Sequence, residues 1–269
     1  MNPHSSTLPS LASGRAPLPL RQLLAAYLAE FRQDLLGALR SVGFALPTLL
    51  VPLAVYLVFG VLMTSGEGEP SYGPEVGNYL FVGFSALAVM MPGIFSSAVL
   101  AQEREQRLLL LKRALPLPPG ASVLAKLLMA VTISTMAVSI VTLAALLLGK
   151  LTLSTAQILV IWLTMIVGSL PFAAIGLWIG SWSSAAAAPA WANLLFLPML
   201  WLSGLFIPLP AFLKPWVVIW PAFHLNQLAL GLAQVDGFIF IPTELAAVVL
   251  LAITAICGVL AVRRLARVG

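Results

Sequence analysis

Charged residues are densest in one short stretch of this 269-residue sequence, where six of the eleven positions 103–113 are charged. Glu103 and Glu105 alternate with Arg104 and Arg107. Two clustered carboxylates can carry acid–base chemistry, so an enzyme acting on lipid-like substrates at the membrane is one interpretation. The simpler interpretation is a solvated charged helix, because each glutamate has an arginine beside it.

Other candidate chemical motifs lack required partners. The stretch LLLGKLTLS (146–154) has Ala144 where a phosphate loop needs glycine, and Leu151 where it needs Ser or Thr, so the sequence predicts no nucleotide site on this chain. The two histidines, His4 and His224, have no metal or triad partners at suitable spacing. His224 is expected to be a polar interfacial group, and the single cysteine a packing residue. No metal site and no resident cofactor is predicted.

The composition predicts that these residues are positioned by membrane-spanning helices. Hydrophobic residues make up 61% of the chain and charged ones 9%, with a mean hydropathy of +1.04, whereas a soluble domain has about 25% charged residues. A crossing helix needs about 20 apolar residues. Six stretches qualify: 42–64, 78–101, 123–148, 156–182, 186–208 and 241–262. The predicted fold is an all-α, polytopic membrane protein with six transmembrane helices.

Basic residues predict the orientation. Twelve of the 14 lysines and arginines lie before the first stretch, around the loop between the second and third, or after the sixth. Only Lys150 and Lys214 lie on the opposite side. Because cytoplasmic loops carry the excess of basic residues, both termini and the charged stretch are expected in the cytoplasm.

Two further segments have distinctive patterns. Residues 20–40 carry leucines at helical spacing with charges on the other faces, which predicts an amphipathic helix lying at the cytoplasmic membrane surface; a helix that packs on a partner is the alternative. Residues 209–235 are apolar and aromatic but interrupted by Pro210, Pro215 and Pro221. We expect two short interfacial or re-entrant helices there, at the outer side.

Polar groups inside the spans are few. Thr132, Thr135, Ser139 and Thr142 share one face of the third span, either as close-packing hydroxyls or as a mildly polar pathway wall. Gly176 and Gly180 form a close-packing motif, and Pro171 is expected to kink the fourth span. Asn193 in the fifth span should face protein or water. The spans contain almost no ionisable groups, and Lys126 and Glu244 lie near span ends. Because ion-driven transporters usually keep such groups in the membrane interior, energy is expected to enter from elsewhere.

Together, these features resemble the permease subunits of type-2 ABC transporters, over nearly the whole chain beyond about residue 20. The first matching motif is Glu-Arg-Glu, an amphipathic turn and a proline before the third span; the second is an apolar run with Ser-Gly, an aromatic residue and spaced prolines. The first contains Glu103, Arg104, Glu105, Leu108, Leu109, Leu111, Pro116 and Lys126, and the second Asn193, Ser203, Gly204, Pro208, Pro215 and Pro221. Where the family has Gly-Thr, this chain has Gln106-Arg107, so the second span is expected to continue as helix through the charged residues.

The resemblance implies an exporter of the bacterial plasma membrane, in which this chain has no enzymatic activity. Two permease chains, identical or different, would form the pathway, and separate ATP-binding subunits would bring ATP and magnesium. Residues 103–120, including Arg107, would be the cytoplasmic coupling segment, with the leucines contacting the ATPase. Residues 1–19 would be a flexible terminus and 20–269 a single permease domain. A membrane sensor or scaffold is the third alternative, and an uncharged interior favours amphipathic or lipid-like cargo.

Overall fold

The computed structural model describes residues 19–62, 74–109, 121–148, 151–206, 214–235 and 237–268. Helices account for nearly all of this, with no strand in those ranges. The helices are α1 (Leu20–Arg40), α2 (Val42–Val55, extended by a π-helix over Tyr56–Leu62), α3 (Pro74–Glu105), α4 (Ala121–Leu147), α5 (Thr155–Val167), α6 (Leu170–Trp182), α7 (Ala188–Leu202), α8 (Lys214–Val217), α9 (Pro221–Leu232) and α10 (Thr243–Val268). The all-α prediction is therefore confirmed.

Five helical segments are long and apolar enough to cross a membrane: Val42–Leu62, Glu75–Glu105, Ala121–Leu147, Thr155–Trp182 and Thr243–Arg267. They correspond to the first four predicted spans and the sixth. The predicted fifth span contains the shorter apolar helix α7. Its 15 residues extend over about 22 Å, less than the roughly 30 Å of a bilayer core. The structure thus establishes a multi-pass membrane protein and does not confirm the count of six.

The fourth span is divided where the sequence predicts a kink. Pro171 has no N–H to offer the carbonyl of Val167, and its ring crowds that carbonyl. Accordingly α5 ends at Val167 and α6 begins at Leu170, with Gly168 and Ser169 in a turn between them. A side chain at Gly168 would lie 2.2 Å from the Leu225 side chain, so α9 packs closely against this kink.

Helix α3 lies at the centre of the bundle. Of its most apolar window, 78% is buried within the chain, compared with 28% for the first span and 17% for the last. Its residues between Tyr79 and Ile94 form the largest share of the main hydrophobic core, to which α4, α5, α7 and α9 also contribute. The surface of α10 is therefore left to lipid or to another chain, whereas α3 is placed to transmit movement between its neighbours.

Helix α3 also packs very closely against α6. A Cβ atom at Gly176 would lie 2.2 Å from the Gly93 carbonyl oxygen, and one at Gly180 would lie 2.7 Å from the Ser97 carbonyl oxygen. Both distances are far too short for any side chain, so these two positions accept only glycine at this separation. The predicted close-packing motif is confirmed, with α3 as the partner.

The connection between α7 and α10 contains the two short helices expected from its prolines. Helix α8 includes Pro215, and α9 begins at Pro221, where a missing N–H costs no helical hydrogen bond. Gln227 of α9 then holds the following chain, since its Nε2 donates to the Phe238 carbonyl at 3.0 Å and its Oε1 accepts from the Phe240 N–H at 2.6 Å. Residues 207–213 lie outside the described ranges.

Candidate functional site

The three charged residues at the end of α3 all bind other parts of the same chain. They occupy the last turn of the helix, which emerges from the bundle at Glu105. Each side chain points to a different neighbour: Glu103 towards α4, Arg104 towards the end of α6, and Glu105 towards the connection between α6 and α7. We call this set of contacts the charged clasp.

Glu103 contributes to a buried ionic cluster. Its Oε2 lies 2.6 Å from Lys126 Nζ, and the same ammonium group donates to Asp34 Oδ2 at 3.1 Å. The side chains of Lys126 and Asp34 are each only 2% exposed. One turn away on each helix, Ser122 Oγ donates to Glu30 Oε1 at 3.1 Å. The acidic side of α1, the start of α4 and the end of α3 are thereby joined around a single lysine.

Arg104 binds the carboxyl end of α6. Its two terminal nitrogens donate at 2.7 Å to the carbonyl oxygens of Gly180 and Ser183. Carbonyls at the carboxyl end of a helix lack intrahelical donors and carry partial negative charge. A guanidinium group at this end donates the missing hydrogen bonds and brings a positive charge next to the negative one. The contact lies directly beside the glycine packing of α3 on α6, so the two helices are joined at the same place by sterics and by hydrogen bonds.

Glu105 completes the clasp. Its Oε1 accepts a hydrogen bond at 2.9 Å from the backbone N–H of Ala185, in the short loop that leads into α7. The clasp therefore joins five elements at the end of the bundle where α3 ends: α1, α3, α4, α6 and the α6–α7 loop. Both glutamates are therefore bonded within the chain. These bonds favour a structural role, in which the glutamates position neighbouring elements, over acid–base chemistry.

The chain turns immediately after the clasp. Helix α3 continues through Glu103–Glu105, as expected from the sequence. It ends at Glu105, however, whereas the expected helix continued through the remaining charged residues. Arg107 has φ = +58°, the left-handed conformation that glycine adopts most easily. The turn that a glycine would make in the family pattern is thus made here by an arginine, in a strained backbone conformation.

The leucines after the turn differ in exposure. Leu109 is 8% exposed and packs in a small core with Leu100, Leu177 and Leu265, so it faces its own bundle rather than an outside partner. Leu108 is half-buried. Leu111 and Pro116, which the sequence also placed in the coupling segment, lie outside the described residues.

The polar residues suggested as a pathway wall are mostly satisfied within the bundle. The hydroxyls of Thr132, Thr135 and Thr142 donate to carbonyls four residues earlier in α4, and Ser139 Oγ accepts from the Trp162 indole at 3.0 Å. These contacts favour the interpretation of the four residues as close-packing hydroxyls over that of a pathway wall. Asn193 differs, because its side chain is exposed on the surface of the single chain.

A second polar cluster is buried at the opposite end of the bundle from the clasp. Tyr79 donates from its hydroxyl to the carbonyl of Gly204, whose φ of +65° makes a tight turn after α7. Ser203 and Asn226 are buried beside this turn and on α9. His224 Nε2 donates to the Val218 carbonyl at 2.8 Å, and burial lowers the pKa of this imidazole while that hydrogen bond raises it. His224 is thus a structural hydrogen-bonding group, and across the described ranges no three His, Cys, Asp or Glu side chains form a candidate metal site.

Sequence reasoning located the charged residues and missed their partners. Lys126 was recognised as part of the motif, but nothing marked Asp34 and Glu30 as its counterparts, because they lie about 90 residues away. A signal was present: both acids stand four residues apart on one face of an amphipathic helix, which is unusual for a surface that should be uniformly solvated.

Comparison with known proteins agrees with this architecture. The family model described as ABC-2 type transporter matches residues 25–240. That range covers most of the chain, from within α1 to just before α10, and includes every residue of the charged clasp. No curated protein matches the sequence. The chain therefore belongs to the ABC-2 type transporter family and is a membrane permease subunit of an ABC transporter.

Proposed function

We propose that this chain is the permease of an ATP-driven exporter in which the turn after α3 receives force from separate ATP-binding subunits. The observation that carries the proposal is the charged clasp. A segment that only connected two spans would need no bonds to the rest of the protein. Here the residues just before the turn are bound to α1, α4, α6 and the α6–α7 loop, so a push at the turn would reach all of them.

In this mechanism Glu103, Arg104 and Glu105 are positioning residues. They connect the coupling segment to the bundle rather than contact the ATPase themselves. The contact surface would be the half-buried Leu108 together with residues beyond it, including Leu111 and Pro116. Leu109 would act from inside, by transmitting motion to Leu177 of α6 and Leu265 of α10 through direct packing.

The pathway would lie between this chain and a second permease chain. Asn193 supports this location, because an exposed amide is costly against lipid and is accommodated by a partner or by water. The first and last spans are also largely uncovered. The cargo would be amphipathic or lipid-like, the termini would be cytoplasmic, and the membrane would be the bacterial plasma membrane, with ATP and magnesium held by the partner ATPase.

Co-purification tests the assembly. A tagged version of the chain is expressed together with candidate ABC ATP-binding subunits from the same genome, and one of these ATPases is expected in the purified complex at equal stoichiometry. If no ATP-binding subunit co-purifies with the tagged chain in detergent or in nanodiscs, the proposed ATP-driven mechanism is contradicted. A sensor or a scaffold would then be the better interpretation.

A further inference from the structure

The exposed surface of α1 is chemically one-sided. Glu30 and Asp34, the two acidic residues of this helix, are both 5% exposed and bind α4. The arginines, in contrast, are all exposed: Arg21, Arg32 and Arg40. None of the three forms an ion pair within the described ranges. The charge that α1 presents outward is therefore entirely positive.

Exposed leucines share this outward side with the arginines. Leu24 and Leu28 are 59% and 65% exposed. At 100° per residue, these two leucines, Arg21 and Arg32 all fall within about 80° of one another around the helix axis. The buried acids lie on the opposite side, roughly 140° away. An apolar stripe bordered by arginines is thus directed away from the protein.

The position of α1 along the chain fixes its depth in the membrane. Helix α1 ends at Arg40 and the first span begins at Val42, with only Ser41 between them. The last turns of α1 pack against that span and against α4, where Ala38, Phe44, Met129 and Ile133 form a buried cluster. No linker separates the helix from the first span, so α1 is held close to the membrane surface, where a helix with an apolar face can insert it among the headgroups and upper acyl chains.

We infer that this surface of α1 is a binding site for anionic phospholipids of the cytoplasmic leaflet, with Arg21 and Arg32 contacting the phosphate groups and Leu24 and Leu28 inserted among the acyl chains. Charge complementarity and the missing linker favour lipid over a protein partner. The site anchors α1, and through Asp34 and Lys126 it reaches the charged clasp. Lipid charge would therefore act on the same elements that the coupling segment moves.

The first test measures lipid selectivity. The full-length chain is purified with equimolar phosphatidylglycerol and phosphatidylcholine, and the lipids that remain bound are counted by native mass spectrometry. The unaltered chain should retain more phosphatidylglycerol. A basic residue near an anionic surface contributes about 1 kcal/mol to lipid binding. Each of R21Q and R32Q should therefore lower the ratio of bound phosphatidylglycerol to bound phosphatidylcholine about five-fold. R21K/R32K should keep the preference.

A matched pair of arginines elsewhere controls for net charge. Arg263 and Arg267 are exposed at the end of α10, so R263Q/R267Q removes the same charge from another place and should change the ratio little. The inference is overturned if the unaltered chain shows no preference for phosphatidylglycerol. It is equally overturned if R263Q/R267Q lowers the ratio as much as R21Q/R32Q.

The second test decides between lipid and protein as the occupant. Leu28→Cys is spin-labelled in a Cys257→Ser background, in nanodiscs that contain phosphatidylglycerol. The label should be more accessible to oxygen than to a water-soluble nickel chelate, with or without the ATP-binding subunit. If instead it is exposed to the chelate alone, and becomes protected from both reagents only when the ATPase binds, the surface belongs to the ATPase and the inference fails.

Discussion

Lys126 is the centre of the buried ionic cluster through which the charged clasp reaches α1 and α4. An ammonium group that is 2% exposed would be strongly destabilising without counter-ions, and here Asp34 and Glu103 supply them from two different helices. A buried ion pair of this kind adds little net stability but makes each partner dependent on the others. Its value to the protein is the fixed arrangement of α1, α3 and α4.

Removal of this lysine should therefore be costly. K126M leaves two carboxylates without their shared cation, and we expect the free energy of unfolding to fall by about 3–5 kcal/mol. Denaturant titration in mixed micelles measures the loss. R267Q, which removes an exposed charge, is the control and should be neutral. A K126M variant as stable as the unaltered chain would show that the ionic cluster is not formed.

Arg107 is a residue whose replacement should stabilise the protein, because its backbone is strained. Its φ of +58° costs a non-glycine residue about 1 kcal/mol, so R107G should stabilise the protein by that order. R107A removes the same side chain and keeps the strain, so it should not stabilise. The difference in thermal midpoint between the two variants is the measurement. Equal midpoints would argue against a left-handed turn at this position.

At the scale of elements, the contact between α3 and α6 depends on glycine. G176A places a methyl group 2.2 Å from the Gly93 carbonyl oxygen, so the two helices must separate, and we expect a loss of about 1–3 kcal/mol in unfolding free energy. Gly258 in α10 has nothing within 4 Å of its Cβ position. G258A should accordingly be neutral or slightly stabilising, and an equal effect of the two substitutions would contradict the packing.

Helix positions could largely be predicted, because the apolar runs and Pro171 act locally. Spans predicted at 123–148 and 156–182 correspond to helical segments at Ala121–Leu147 and Thr155–Trp182. The contacts of the clasp could not be predicted, since they depend on which faces of distant helices meet. The turn at Arg107 was also missed, because the left-handed conformation is rare for arginine and leaves no mark in a single sequence.

At the scale of the whole molecule, the asymmetry of basic residues makes the orientation testable. In a Cys257→Ser background, Gln33→Cys and Glu244→Cys place single thiols on exposed positions at the two ends of the bundle. A membrane-impermeant maleimide applied to intact cells should label position 244 and leave position 33 unlabelled until the cells are opened. The reverse pattern would invert the proposed topology.

The central claim is that the charged clasp transmits force between the ATPase and the bundle. It is tested most directly by the ATP hydrolysis rate of the reconstituted complex carrying E103Q and E105Q, with E244Q at the other end of the bundle as the control. The clasp variants should still bind the ATP-binding subunit but lose most of the permease-dependent ATPase stimulation, while E244Q keeps it. Full stimulation in a correctly folded E103Q/E105Q complex would contradict the account.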